Sequence, residues 1–411
     1  MSARVGTTSW WFGLATTLGL ALAGPGLAPA AHSQGKPVKI ALIEDKTGPL
    51  EAYAKQMMTG FRMGLEYATK GTDTVAGRKI EIIEKDSQFK PDLGRTLLEQ
   101  VYGDDDVDLA IGGTSSAVAL AMLPVAADFK KLLIVDGAVA DSITGEKWNR
   151  YIFRVDRNSS MDAISNALSI GKPGVVIATL AQDYAFGRDG VAAFKTALAP
   201  TGAKVVHEEY APTTTTDFTA PMQRILDAMA TQSGEKILFV IWAGADPMSK
   251  LAAMDPQRAG VKLATGGNIL PGLKTYKSLP VLDGMQGATY YYYEIPKNPI
   301  NDWLVAEHEK RFNGEPPDFF TANGMVTALA LVAALEKTKG VTDTETLIKA
   351  MEDMTFDSPK GPVRFRAQDH QALQSMFGFS LKLTTDKPWA VPVLTREFRI
   401  DDMTIPIANK R

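Results

Sequence analysis

Short runs of apolar, largely β-branched residues alternate with amphipathic helical stretches along most of the chain, which is the pattern of βα units built on parallel sheets. The pattern predicts strands at 39–43, 79–84, 109–112, 132–135, 174–180, 204–209, 236–242 and 261–264. Helices are predicted between them at 52–68, 93–102, 117–129, 161–170, 190–198, 218–231 and 247–254. No fixed-length repeat is visible, so the unit repeats as structure only. After Tyr290 the rhythm changes to helices at 301–312, 319–337 and 344–353 and strand-like pieces at 363–365 and 377–383. Such a tail fits a chain that crosses back to complete two α/β lobes, with crossings expected at 153–158, 284–290 and 361–372. The expected division is 36–155 plus 288–364 for the first lobe and 158–284 plus 372–411 for the second, two doubly wound βα lobes on a three-crossover hinge.

The first 33 residues break this pattern. Arg4 is the only early charge, an apolar stretch covers 10–23, and small residues follow at Ala28-Pro29-Ala30. These are the parts of a signal peptide, with cleavage expected after Ala30 or Ser33. The stretch is shorter than the ~20 residues that cross a bilayer, and no second span is read from the sequence. A soluble periplasmic protein is expected. What remains after cleavage is long for one core, in agreement with two lobes. The chain has no cysteine, so burial, for which 45% apolar residues suffice, must stabilise each lobe without disulfides. With 44 basic and 47 acidic residues, a net charge of -3, the chain offers no basic field for nucleic acid and no polybasic membrane patch. A small molecule or a protein is the expected partner, and a monomer is expected.

Ligands of open α/β sheets sit outside the carboxyl ends of strands, which directs attention to the loops there. The loop 44–50 leads to Tyr53, either a ring face and hydroxyl for a ligand or a half-exposed helix residue. Ile111-Gly112-Gly113-Thr114-Ser115-Ser116 ends a strand in two glycines and starts a helix. Backbone N–H groups and hydroxyls there suit an anion such as a carboxylate, and a Ser or Thr can equally serve as the helix cap. The loop 136–141, small and apolar at Ala138 and Val139, follows the next strand. Tyr184 and Phe186 bring rings from the other lobe, and Asn268 closes the loop 264–268. Together these describe a cleft with an anion seat on one wall and ring faces on the other.

The order of Thr47-Gly48-Pro49, Ile111-Gly112-Gly113-Thr114-Ser115-Ser116, Asp183-Tyr184-Ala185-Phe186-Gly187 and Asp217-Phe218 resembles periplasmic binding proteins of the leucine/isoleucine/valine type, the extracytoplasmic receptors of ABC importers. The resemblance runs from about Val38 to the last strands. It implies the type I fold of that family, with two lobes and three crossovers, and a permease and an ATPase in the inner membrane as partners. It also implies a ligand carboxylate at Ser115-Ser116, an aromatic at Tyr53 and another at Phe186 with Tyr184 close by. Amino-acid receptors of the family hold the ligand ammonium with a threonine and an acidic residue. At the place matching the threonine this chain reads Gly137-Ala138-Val139-Ala140, with no hydroxyl, and at the place matching the acidic residue it reads Thr265-Gly266-Gly267-Asn268, with no carboxylate. Desolvating an unpaired ammonium costs several kcal/mol, against the roughly 8 kcal/mol released by a micromolar complex. The expected ligand is therefore a carboxylate without an α-amine, aromatic rather than short and aliphatic. An amino acid remains the alternative if Asp136, Asp141 or Asp183 takes the missing role. Of the run Tyr290–Tyr293, at least half is expected to be a buried crossover strand.

An enzyme is not expected. Gly113-Thr114-Ser115-Ser116-Ala117 departs from a nucleophile elbow at its last residue, leaving a serine hydrolase a remote alternative. No cofactor and no metal site are expected: Asp104, Asp105, Asp106 and Asp108 lack the alternation of a calcium loop, and no histidine pair has zinc spacing. A phosphate loop is missing too, so ATP would be hydrolysed by another subunit. Arg154 and Arg157, at the first crossing, are read either as helping to gather an anion or as stabilising the hinge. The sequence leaves open whether the receptor feeds a transporter or serves a membrane sensor.

Overall fold

A computed structural model describes residues 8–9 and 35–410. Arg4, the apolar stretch 10–23 and both expected cleavage positions lie outside the described residues. The first sheet contains β1 (Val38–Glu44), β2 (Thr74–Val75), β3 (Arg78–Asp86), β4 (Leu109–Gly112), β5 (Leu133–Val135) and β6 (Ile152–Arg154), in the order β2-β3-β1-β4-β5-β6. All neighbours are parallel except the hairpin β2/β3. Side chains of β1 alternate between two cores. Ile40 and Leu42 pack beneath Phe61 of α1 (Glu51–Thr69), while Ala41 and Ile43 face Leu98 of α2 (Pro91–Gly103) and Met122 of α3 (Ser116–Phe129). A strand buried on both faces between helices is what its near-continuous apolar run demands.

The chain then enters the second lobe through α4 (Ser159–Ile170), followed by β7 (Val175–Gln182), α5 (Ala185–Leu198), β8 (Lys204–Ala211), α6 (Thr219–Ala230), β9 (Glu235–Ile241), α7 (Met248–Ala253), β10 (Val261–Thr265) and α8 (Leu270–Tyr276). The strands form a parallel sheet in the order β10-β9-β7-β8. A second, antiparallel sheet, β11-β15-β16, joins β11 (Gln286–Thr289) to strands from the far end of the chain. Between these lie α9 (Pro299–Arg311), α10 (Phe319–Lys337), α11 (Thr344–Met351), β12 (Thr355–Ser358), β13 (Gly361–Phe365) and β14 (Ala372–Leu373), which complete the first lobe, then β15 (Met376–Lys382) and β16 (Val391–Phe398).

The expected βα strands and helices appear within a few residues of their predicted bounds, apart from α5, which starts five residues earlier than expected. The crossings differ more. Residues 361–372, expected as the third crossing, supply β13 and β14 of a small antiparallel sheet, and the chain changes lobe just afterwards, at 374–375. Val363 and Phe365 alternate with exposed Pro362 and Arg364, so this segment has a buried face that a bare connection would not need. Residues 284–290 likewise contain β11, and the chain crosses after it. One helix corrects the expectation of no second apolar span: α10 is long and apolar enough to cross a membrane by length and composition, yet it lies inside the core. Its small residues allow close approach to α1, where a Cβ at Gly60 would fall 1.8 Å from the carbonyl oxygen of Thr321.

Candidate ligand-binding site

Between the lobes lies a cavity of about 120 Å³. A single buried water needs only ~10–15 Å³, so a molecule of roughly ten heavy atoms is the scale of the space. One wall is made where β4 ends. Gly112 has φ +147°, and a Cβ there would stand 2.1 Å from the Ile43 carbonyl oxygen. Glycine thus brings β4 against β1 and turns the chain into α3. Thr114 and Ser116 line the cavity, and the Ser116 hydroxyl oxygen accepts from the Ala140 N–H at 3.2 Å.

Ser115 does not line it. Its hydroxyl is buried without a hydrogen-bond partner, and it makes no side-chain cap on α3. The side-chain cap expected of this serine is therefore not made, and it is its neighbour Ser116 that lines the cavity. Ala138 is likewise not in the wall but in the first-lobe core, whereas Val139 and Gly137 reach the cavity.

Behind this wall sits a group of buried carboxyls. Thr114 donates to Glu44 Oε2 at 2.6 Å and accepts from the Asp45 N–H at 3.2 Å. Burial raises Glu44 well above the usual carboxylate range and pushes Asp136 up to about 7. Two buried carboxyls that act on one another disfavour double ionisation, so a proton is retained on the pair up to about pH 7. Asp45, also raised by burial, and Asp156 are the nearest other acids. With a folded pKa above the unfolded one, the native state binds more protons, so this pair lowers stability as pH rises from about 4 to 7. Asp136→Asn, whose amide can donate to Glu44, is expected to gain stability over the wild type at pH 8 and much less at pH 5. Urea unfolding at both values checks this, and an equal difference at the two would refute it.

The facing wall is aromatic. Tyr53 stacks on Phe320 with ring centroids 4.2 Å apart, and its hydroxyl oxygen accepts from the Gly244 N–H of the second lobe at 2.9 Å. Tyr184 occupies the position just before α5 and Phe186 sits in its first turn, their rings 5.8 Å apart. Tyr184 also meets Phe89 of the first lobe at 6.1 Å. Of the tyrosine run only Tyr290 lines the cavity; Tyr291, Tyr292 and Tyr293 are buried elsewhere and bond to Asn301, Trp389 and Glu294. Asn268 is in the wall, but its amide is turned to protein: Nδ2 donates to Asp246 and Tyr276, and Oδ1 accepts from the Ile269 N–H.

Several lining residues escaped the sequence reading. Trp242, Phe319 and Phe320 add rings, the last two at the start of α10, where nothing in the local pattern distinguishes a cavity wall from core. Asp162 brings charge, and so does Arg157, which the sequence offered as an anion-gathering or hinge-stabilising group. Arg157 Nε donates to both carboxylate oxygens of Asp162 at 2.9 and 3.1 Å, and Nη1 donates to Asp156 at 2.9 Å. Its guanidinium lies over the rings of Phe319 and Tyr290, 4.7 and 5.4 Å from their centroids. Burial alone would lower the Arg157 pKa, but Asp162 and Asp156 hold it above its ordinary value. Burial raises Asp162 against the pull of Arg157 and pushes Asp156 up to about 6. The carboxylate that lines the cavity is thus Asp162 of α4, and not Asp136, Asp141 or Asp183, the acids offered for the missing role.

Comparison with known proteins agrees with this architecture. A family model described as periplasmic binding protein matches residues 37–387. A Leu/Ile/Val-binding protein homolog of Brucella suis biovar 1 is 24% identical, covering 83% of this chain and 86% of the relative. A crystal structure described as an ABC-type branched-chain amino acid transporter from Rhodopseudomonas palustris CGA009 is 65% identical over 91% of this chain and 100% of that one, with a TM-score of 0.80. A solute-binding protein of an ABC transporter from Rhodopseudomonas palustris BisB5, in complex with 3,4-dihydroxybenzoic acid, is 27% identical over 89% and 98% of the two chains, with a TM-score of 0.77. With two α/β lobes, a cavity between them and a family match spanning nearly the whole described fold, this chain belongs to the periplasmic binding proteins, as a type I solute-binding protein of the branched-chain amino acid class of ABC importers.

Proposed function

We propose that the chain captures an aromatic carboxylic acid lacking an α-amine in the cavity between its lobes, in the periplasm after removal of its leader, and delivers it to the permease and ATPase of an importer. The observation that carries this reading is the distribution of partners around the cavity. Rings from both lobes, Tyr53, Phe320, Tyr184, Phe186 and Trp242, offer faces to an aromatic ligand. Asp162, the carboxylate in the wall, already has both oxygens engaged by Arg157 Nε, so its charge is paired before any ligand enters. The 27% identical relative bound to 3,4-dihydroxybenzoic acid supports the same ligand class.

Asp162 also favours the second reading, an α-amino acid. Its remaining lone pairs could accept from an ammonium while Arg157 meets the carboxylate, and the 65% identical structure is described as a branched-chain amino acid transporter. A thermal-shift panel separates the two. A ligand at ~100 times its dissociation constant adds about 2.7 kcal/mol of stability. The melting temperature is expected to rise with 3,4-dihydroxybenzoate or cinnamate and to stay unchanged with leucine, isoleucine and valine. The reverse outcome overturns the proposal in favour of the amino acid.

A further inference from the structure

We infer that Arg157, presented by the first crossing between the lobes, receives the carboxylate of the ligand through its Nη2 group. This rests on the reading of the cavity as a carboxylate site and names the group that makes it one. Arg157 lines the cavity with a side chain only 11% exposed. Nε is engaged by Asp162, Nη1 by Asp156, and the flat face by Phe319 and Tyr290. Nη2 has no hydrogen-bond partner among the described residues and is not among the atoms sealed from solvent. A nine-tenths buried cation with one free pair of N–H donors at a cavity wall is a built anion receptor.

The hydroxyls on the neighbouring wall carry no charge and are partly committed. The Thr114 proton goes to Glu44, and Ser115 is turned away. Ser116 keeps a proton to donate, so it can assist, but a neutral hydroxyl does not balance a buried anion. Arg157 brings a charged donor to the wall, and although Asp156 and Asp162 already pair with it, they also spend its rotamer freedom and so act as positioning residues. Lys360, buried with Nζ 3.3 Å from the centroid of the Tyr290 ring and donating to Gln374 Oε1 at 3.1 Å, is a further basic group near those acids, its pKa held well below the ordinary lysine value by burial. Its place matters as well. Asp156 belongs to the crossing, Asp162 to α4 of the second lobe, Phe319 to α10 of the first and Tyr290 to the second crossing. A ligand anion on Nη2 therefore acts directly on the segments about which the lobes would turn.

Calorimetry on the whole protein with acid and amide pairs tests the assignment: 3,4-dihydroxybenzoate against its carboxamide, and leucine against leucinamide. A charge-assisted hydrogen bond lost from a buried site weakens binding by about 30-fold. Arg157→Met is expected to bind the acid about 30-fold more weakly than the wild type and the amide within a few-fold, collapsing the acid preference. A loss shared equally by acid and amide, or an acid preference that persists, overturns the inference. Arg157→Lys, which can still pair with the two aspartates, repeats the measurement should circular dichroism show the Met variant unfolded, and the same collapse is expected. If the wild type binds leucine and no aromatic acid, the proposed ligand class falls while the leucine pair still decides the role of Arg157. Binding of neither pair overturns both.

Discussion

Gly60→Ala is expected to destabilise the protein by about 3 kcal/mol, although alanine is the better helix former by about 1 kcal/mol. Two effects of opposite sign meet at this position. In an isolated helix the substitution removes backbone freedom from the unfolded chain and stabilises. In the folded protein α1 and α10 approach so closely that the added methyl carbon would lie 1.8 Å from the Thr321 carbonyl oxygen and 2.7 Å from its carbon, both backbone atoms of the facing helix. Neither can swing away as a side chain could, so the helices must part. The reverse contact is equally tight, with a Cβ at Gly324 placed 1.9 Å from the Met57 carbonyl oxygen. The consequence reaches the ligand site, because α1 carries Tyr53 and α10 carries Phe320, whose rings stack at 4.2 Å. Loss of stability in urea unfolding should be accompanied by weaker ligand binding. A variant as stable as the wild type, or more so, would mean that propensity outweighs the clash and that the helices are not held at this distance.

The second large effect is expected at Arg154. This side chain is fully buried at the end of β6, and its donors are spent on neutral acceptors: Nε on Gln371 Oε1 at 2.6 Å, Nη1 on the Ala140 carbonyl at 2.6 Å and Nη2 on Thr144 Oγ1 at 2.5 Å. Burial lowers its pKa to about 10 against the opposing pull of Asp141 and Asp156, which leaves it charged throughout the neutral range. Removing a buried charge can be neutral when apolar groups replace the whole network. Here only one member would go. Arg154→Met leaves the Ala140 carbonyl with the Ile143 N–H at 3.2 Å and Gln371 Oε1 with the Thr144 hydroxyl at 3.2 Å, so three buried acceptors lose a charged donor, each worth ~1.5–3 kcal/mol. Gln371 would also loosen, and it donates in turn to the Asp156 carbonyl at 2.7 Å, linking the first crossing to the end of the first lobe. A net loss of about 3 kcal/mol is expected in chemical unfolding, and Arg154→Lys should recover only part of it, since an ammonium cannot reproduce the fork. Wild-type stability in the Met variant would refute the argument.

Much of the architecture was written in the order of apolar runs. The alternation at Ile40, Ala41, Leu42 and Ile43 places successive side chains on opposite sides of a sheet, so a strand covered by helices on both faces follows from local pattern alone. The bounds of α10 could be predicted to the residue because its apolar stretch has no internal break. The same uniformity hid its partner, since a helix buried all round announces no face. Strand ends and the loops after them were legible for the same local reason, and these loops supply Thr114, Ser116, Val139, Tyr184 and Asn268 to one cavity.

Other features depended on contacts between segments far apart in the chain. Which of two adjacent serines meets the void, and whether Ala138 or Val139 does, turns on the rotation of a short loop fixed by Gly112 against Ile43. Which of four consecutive tyrosines lines the cavity was set by the packing of the crossing, not by any pattern within it. Arg157 and Asp162 lie five residues apart and could have been surface charges; they became a paired group in a cavity because Asp156, Tyr290 and Phe319 close around them. The sequence alone determined the succession of strands and helices, since that is recorded by the periodicity of burial along one segment. Tertiary structure alone decided which polar atoms were left without a partner at the cavity wall, because the partners that satisfy or abandon a buried group come from distant parts of the chain.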